Sequence, residues 1–225
     1  MRDSFSKKYA QIASLWNIDN DLLFYIIRRY EKLYIQEIEK LKTEGMNLPK
    51  YFKDRRTDEE YIYDIMDGWL MEDVICDAWL RPILLKINPK IKIEVMGTNR
   101  DRVIQKYNPN AITTNPDFIF SLNGKETKIE LQMARKILSN GYDMKETKVN
   151  RAIQDGVYFL WILIPTNEYF IIDTKKDIVN IIPTPNPLWG GKIVYHIGYD
   201  FVSKIGGLGK MNQGLSSFFV SKLGL

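Results

Sequence analysis

The stretch Asn115-Pro116-Asp117-Phe118-Ile119-Phe120-Ser121-Leu122-Asn123-Gly124-Lys125-Glu126-Thr127-Lys128-Ile129-Glu130-Leu131-Gln132 reads as a β-hairpin. Asp117 to Leu122 and Thr127 to Met133 are rich in β-branched and aromatic residues. Asn123-Gly124 between them is a strong two-residue turn signal, because both residues tolerate positive φ. Side chains two apart on a strand share a face, so Glu130 and Gln132 point one way and Ile129 and Leu131 the other. Pro116 restrains the backbone just before Asp117. The hairpin therefore predicts one carboxylate at the mouth of one strand and a second on its neighbour.

Working outward, a loop with Gly141 leads to a predicted helix from about Met144 to Gln154. Val157 to Ile164 is almost wholly apolar, as in a strand buried on both faces. Glu168 to Asp173 is expected to return beside it through the Pro165-Thr166-Asn167 turn. Upstream, Lys90 to Val95 alternates like a strand. Asp21 to Glu44 carries Leu23, Ile26, Ile27, Tyr30, Leu33, Ile38 and Leu41 at helical spacing, with Asp19 or Asn20 as N-cap and Gly45 as the stop. A linker over 46–56 precedes a second helix from about Asp58 to Leu85, which Pro82 is expected to kink or end. Helix, three strands, helix, two strands is an α/β order with a mixed sheet. After Pro183 the character shifts: 8 of the 14 glycines fall between Gly190 and Gly224, and the tail carries four lysines against the single acid Asp200. The expectation is one domain over 1–225, with a helical N-terminal elaboration (1–56), a catalytic core (57–182) and a C-terminal extension (183–225).

With 225 residues, 45% of them apolar, the chain can fill a sizeable core. There is no apolar run of membrane-spanning length, and Met1 to Ala10 is polar and charged, unlike a signal peptide. A cytoplasmic protein is expected. One histidine, His196, and one cysteine, Cys76, exclude zinc sites built on Cys and His, His-Asn-His nuclease chemistry and an intramolecular disulfide. A hydrolytic metal here needs oxygen ligands, which points to Mg²⁺, with Mn²⁺ as a substitute. The net charge of +4 permits a nucleic-acid partner without requiring one.

Pro116-Asp117 followed by Glu130-Leu131-Gln132 resembles the PD-(D/E)xK motif of restriction-endonuclease-like nucleases. Gln132 stands where the family usually has lysine, although a subgroup of restriction enzymes carries Glu-x-Gln. A glutamine amide can orient a water but supplies no positive charge. The resemblance covers about Asp58 to Asp173. It implies a restriction-endonuclease-like mixed sheet flanked by helices, with Mg²⁺ held by Asp117, Glu130 and Leu131. Gln132 would hold the attacking water. Glu72, in Gly68-Trp69-Leu70-Met71-Glu72, looks like the helical glutamate that such nucleases place near the metal.

The implied activity is hydrolysis of double-stranded DNA, in its first form as a type II restriction endonuclease: a homodimer cutting a short palindrome. A junction-resolving or repair nuclease is the second form, and a DNA-binding relative without activity the third. Arg135, Lys136, Lys145, Lys148 and Arg151 gather after the second strand and are candidates for phosphate contact, with Lys145 and Lys148 expected on one helix face. Asn99, Arg100 and Arg102 sit in a loop suited to groove or phosphate contact, and Asn212 and Gln213 could read adenine. Each residue also has a plainer reading: Asp117 as a turn or cap residue, Glu130 on an edge strand, Gln132 and Glu72 at the surface, the cations on a solvated face.

Overall fold

The computed structural model describes residues 5–45, 48, 50, 55–96, 104, 115–211 and 214–225, with the side chains of 6–8 left aside. Asn99, Arg100, Arg102, Asn212 and Gln213 lie outside the described residues. The chain forms two compact units, one from 1–86 with 98–113 and one from 87–97 with 114–225.

The first unit is helical. Helix α1 (Phe5–Trp16) buries Phe5, Tyr9, Ile12 and Trp16. Their spacing of four, three and four residues is the helical period. Helix α2 (Asn20–Glu44) starts where expected: the Asp19 carboxylate accepts the Leu22 N–H at 2.8 Å. Gly45 ends it in the left-handed region. Helix α3 (Asp58–Asp73) is fixed by a capping box between Thr57 and Glu60. Pro82 does not end the helical run. A π-helical segment, Val74–Leu80, intervenes, and α4 (Arg81–Ile87) follows. Proline thus sits in the first turn of a reset helix, where its missing N–H is cheapest. Two buried carboxylates tie this unit together: Asp67 accepts from the Tyr9 hydroxyl and Asp73 from the Tyr30 hydroxyl. Among the described residues no helix is long and apolar enough to cross a membrane.

The second unit is built on a six-stranded sheet in the order β1-β2-β3-β5-β6-β9, in which only β3 and β5 run parallel. The members are β1 (Lys92–Val95), β2 (Phe118–Leu122), β3 (Lys125–Ala134), β5 (Val157–Leu163), β6 (Glu168–Asp173) and β9 (Gly209–Lys210). The hairpin is as expected: Leu122 pairs with Lys125, and Asn123 and Gly124 both take positive φ. One face of this sheet is covered by α7 (Leu215–Leu223), whose Phe219 meets Phe120 edge-on at 5.1 Å. The residue in register with Glu130 is Phe159, and with Gln132 it is Trp161. That opposite face carries a hydrophobic cluster in which Phe159 and Trp161 pack with residues of α5 (Glu146–Asp155) and of a small second sheet.

The small sheet has the order β4-β8-β7, from β4 (Tyr142–Lys145), β7 (Thr184–Asn186) and β8 (Lys192–Ile197). It corrects the expected helix over Met144 to Gln154. Met144 and Lys145 belong to β4, and α5 begins at Glu146. Tyr142 and Met144 point into the cluster with a strand's alternation while β8 supplies the ladder partners, so long-range pairing overrides the local helical pattern. The stretch from 183 onward is built into this unit as β7, β8, α6 (Tyr199–Lys204), β9 and α7.

Gly141 opens β4 at φ +103°, and a Cβ there would overlap the Ile197 carbonyl oxygen of β8. Gly141→Ala is therefore expected to destabilise the protein by ~3 kcal/mol, read as a lower midpoint in urea.

Candidate active site

Three side chains converge at the open end of the hairpin. The β2–β3 ladder begins at the Phe118–Ile129 pair, so Asp117 lies one step beyond it, beside Glu130. There the Asp117 carboxylate replaces a ladder partner, accepting the Leu131 N–H at 2.7 Å. The Asp117 carbonyl is fixed by the Met96 N–H, just past the end of β1. Pro116 is buried and Asp117 half-buried. Sequence and local structure thus aim one carboxylate across the mouth of two strands.

Glu130 comes from the face of β3 that also carries Gln132, while Ile129 and Leu131 are buried on the other. Its side chain is only 13% exposed and takes an ion pair at 2.5 Å from Lys148 Nζ of α5. The Asp117 carboxyl is pushed up to about 7. Burial is the main cause, and the negative charge of Glu130 and a hydrogen bond with that carboxyl add to it. The Leu131 N–H and the Lys148 ammonium pull the other way. The Asp117 carboxyl therefore holds a proton up to about neutral pH, and a divalent cation can take that proton's place.

The fit to such a cation is partial from side chains alone. Among the described residues no group of three or more His, Cys, Asp or Glu side chains is arranged to hold a metal. Asp117 and Glu130 offer two hard oxygen donors. The Leu131 carbonyl, next to them, already accepts the Gln132 amide at 2.6 Å. Mg²⁺ commonly binds one or two carboxylates and keeps several waters, so this donor set suits it.

No family model matches the chain, and no curated protein matches it either. Among solved structures it is similar to a Holliday junction resolvase from Archaeoglobus fulgidus, with 11% identity and a TM-score of 0.33. The likeness covers 59% of this chain and 96% of that one.

The structure brings Asp117, Glu130, Leu131 and Gln132 together and adds Lys148 to them. Glu72 lies half-buried on α3 in the helical unit. Lys145 is exposed on β4, opposite Val194, so the expected helix face shared with Lys148 does not exist. Arg151 is on α5, three residues after Lys148, and pairs with Asp155 at 2.7 Å. Arg135 and Lys136 lie exposed just after β3. The sequence reading placed Lys148 on a phosphate-binding surface and missed its pairing with Glu130. Only the parallel β3–β5 crossover carries α5 back to β3, and no local pattern encodes that approach.

His196 was excluded from zinc chemistry and given no other role. On β8 its Nε2–H donates to the Asn140 carbonyl at 2.7 Å, and Nδ1 lies 2.9 Å from Asp143. Asn186 of β7 donates to the other Asp143 oxygen at 2.6 Å. These bonds pin the loop after β3 to the small sheet.

Proposed function

We propose that this protein is a divalent-metal-dependent endonuclease of the PD-(D/E)xK kind, acting on DNA. The observation that carries the reading is the pair Asp117 and Glu130, set side by side at the hairpin mouth with Asp117 raised to about 7. A buried pair of like charges is costly unless something positive joins it. Asp117, Glu130 and the Leu131 carbonyl would hold Mg²⁺, which when bound supplies an activated water and charge neutralisation at a phosphodiester. Gln132 orients that water through its amide. Lys136 and Arg135, exposed beyond β3, and Lys145 and Arg151 contact the DNA backbone, which positions the substrate without reading sequence.

In its finer form the reading is a type II restriction endonuclease, with two copies cutting a short palindromic duplex site. A nuclease for branched DNA uses the same chemistry. The test is incubation of the purified protein with linear, circular and four-way-junction DNA, with and without Mg²⁺. Discrete bands from duplex DNA support the restriction form, and cutting confined to junctions supports the branched form. Failure to cut any of the three in Mg²⁺ or Mn²⁺ contradicts the nuclease reading.

A further inference from the structure

The family pattern puts an ammonium two residues after the glutamate, on the same strand face. Here that position is Gln132, whose amide is turned to the Leu131 carbonyl and carries no charge. Glu130, its neighbour on the face, nevertheless has an ammonium at 2.5 Å, and it comes from another element. Helix α5 begins at Glu146, so Lys148 lies in its first turn. Val149 and Ala152 bury the helix against the cluster that backs Phe159 and Trp161. A lysine serving only as a solvated surface charge would gain little from holding one geometry, since exposed ion pairs contribute little. This one is anchored to a carboxylate that is 13% exposed while keeping 40% of its own side chain open. It therefore has one side on Glu130 and one side free for substrate.

We propose that Lys148 is the catalytic cation of this site, supplying from α5 the ammonium that β3 lacks at position 132, where it meets the scissile phosphate. The inference deepens the nuclease reading and rests on it. Arg151, three residues on, is engaged with Asp155 and is not the equivalent group.

The test compares wild type, Lys148→Met, Lys148→Arg and the double variant Gln132→Lys/Lys148→Met on a DNA that the wild type cuts. Each is also melted and titrated with Mn²⁺ alone. Lys148→Met is expected to lose about 10²-fold or more in kcat with its DNA affinity changed little. Its Mn²⁺ Kd is expected to tighten about 3-fold or more, because a competing positive charge has left Glu130. The double variant should recover to within about 10-fold of wild type, since the ammonium is restored from the strand. Lys148→Arg should fall between wild type and Lys148→Met. A merely structural lysine would move the melting temperature and would not be rescued from position 132. If Lys148→Met does not fold, Lys148→Gln, which leaves Glu130 a neutral hydrogen-bonding partner, takes its place both alone and together with Gln132→Lys, with the same outcomes expected. Lys148→Met cutting at the wild-type rate, a loss confined to DNA affinity, or a double variant no better than Lys148→Met each overturns the proposal. Wild type that cuts no DNA and binds no Mn²⁺ removes the nuclease reading itself and the inference with it.

Discussion

Asp117→Asn is expected to abolish DNA cleavage, by about 10³-fold or more, while making the metal-free protein more stable at pH 8. The two effects have one cause. Asparagine is the same shape as aspartic acid, so its oxygen can still accept the Leu131 N–H and its amide can donate to Glu130. What is lost is a charge that the site holds at a cost. The folded carboxyl stays protonated up to about 7, whereas in the unfolded chain it ionises near 3.8. Between those values the folded state binds the extra proton, so the stability of the wild type falls as pH rises from about 4 to about 7 and then levels. Water reaching a half-buried carboxyl discounts the full linkage, leaving an expected gain of ~2 kcal/mol for Asp117→Asn at pH 8. For a chain of this length that is a rise of ~5 °C in Tm. Thermal melts of both proteins at pH 5 and pH 8 check it. The difference should be smaller at pH 5 than at pH 8, and a difference of the same size at both would break the link between charge and function.

Glu130→Gln is expected to reduce cleavage about 10³-fold as well, with a different signature in the pH dependence. Glutamine keeps a hydrogen-bonding partner for Asp117 but offers Lys148 no ion pair. The Lys148 ammonium then turns to solvent, at little cost because the side chain is already 40% exposed. Asp117 loses the neighbouring charge, the second cause of its shift, and keeps burial, the first. Its carboxyl should come down from about 7 without reaching the ordinary range, so the pH window of falling stability narrows from its upper end. Melting over a pH series measures this, and an unchanged upper limit would mean that Glu130 does not act on Asp117.

Much of the sheet unit was legible because its signals are local. Asn123-Gly124 announced a two-residue turn, the apolar run from Val157 announced a strand buried on both faces, and Pro116-Asp117 with Glu130 announced the paired carboxylates. The rest depends on partners far away in sequence. Met144 and Lys145 have a helical neighbourhood, and only β8, some fifty residues on, makes them a strand. The parallel β3–β5 crossover brings Lys148 of α5 to Glu130, so a side chain that looked like one of a basic group is a member of the site. Pro82 was expected to kink or end its helix, and the π segment before it shows how a chain can absorb proline and continue.

The measurement closest to the central claim is a calorimetric titration of Mn²⁺ into the metal-free protein at pH 7.5, repeated with Asp117→Asn. One site in the wild type and none in the variant is the result predicted for a cation held between Asp117 and Glu130. A wild type that takes up no metal, or a variant that binds it as the wild type does, would contradict that claim.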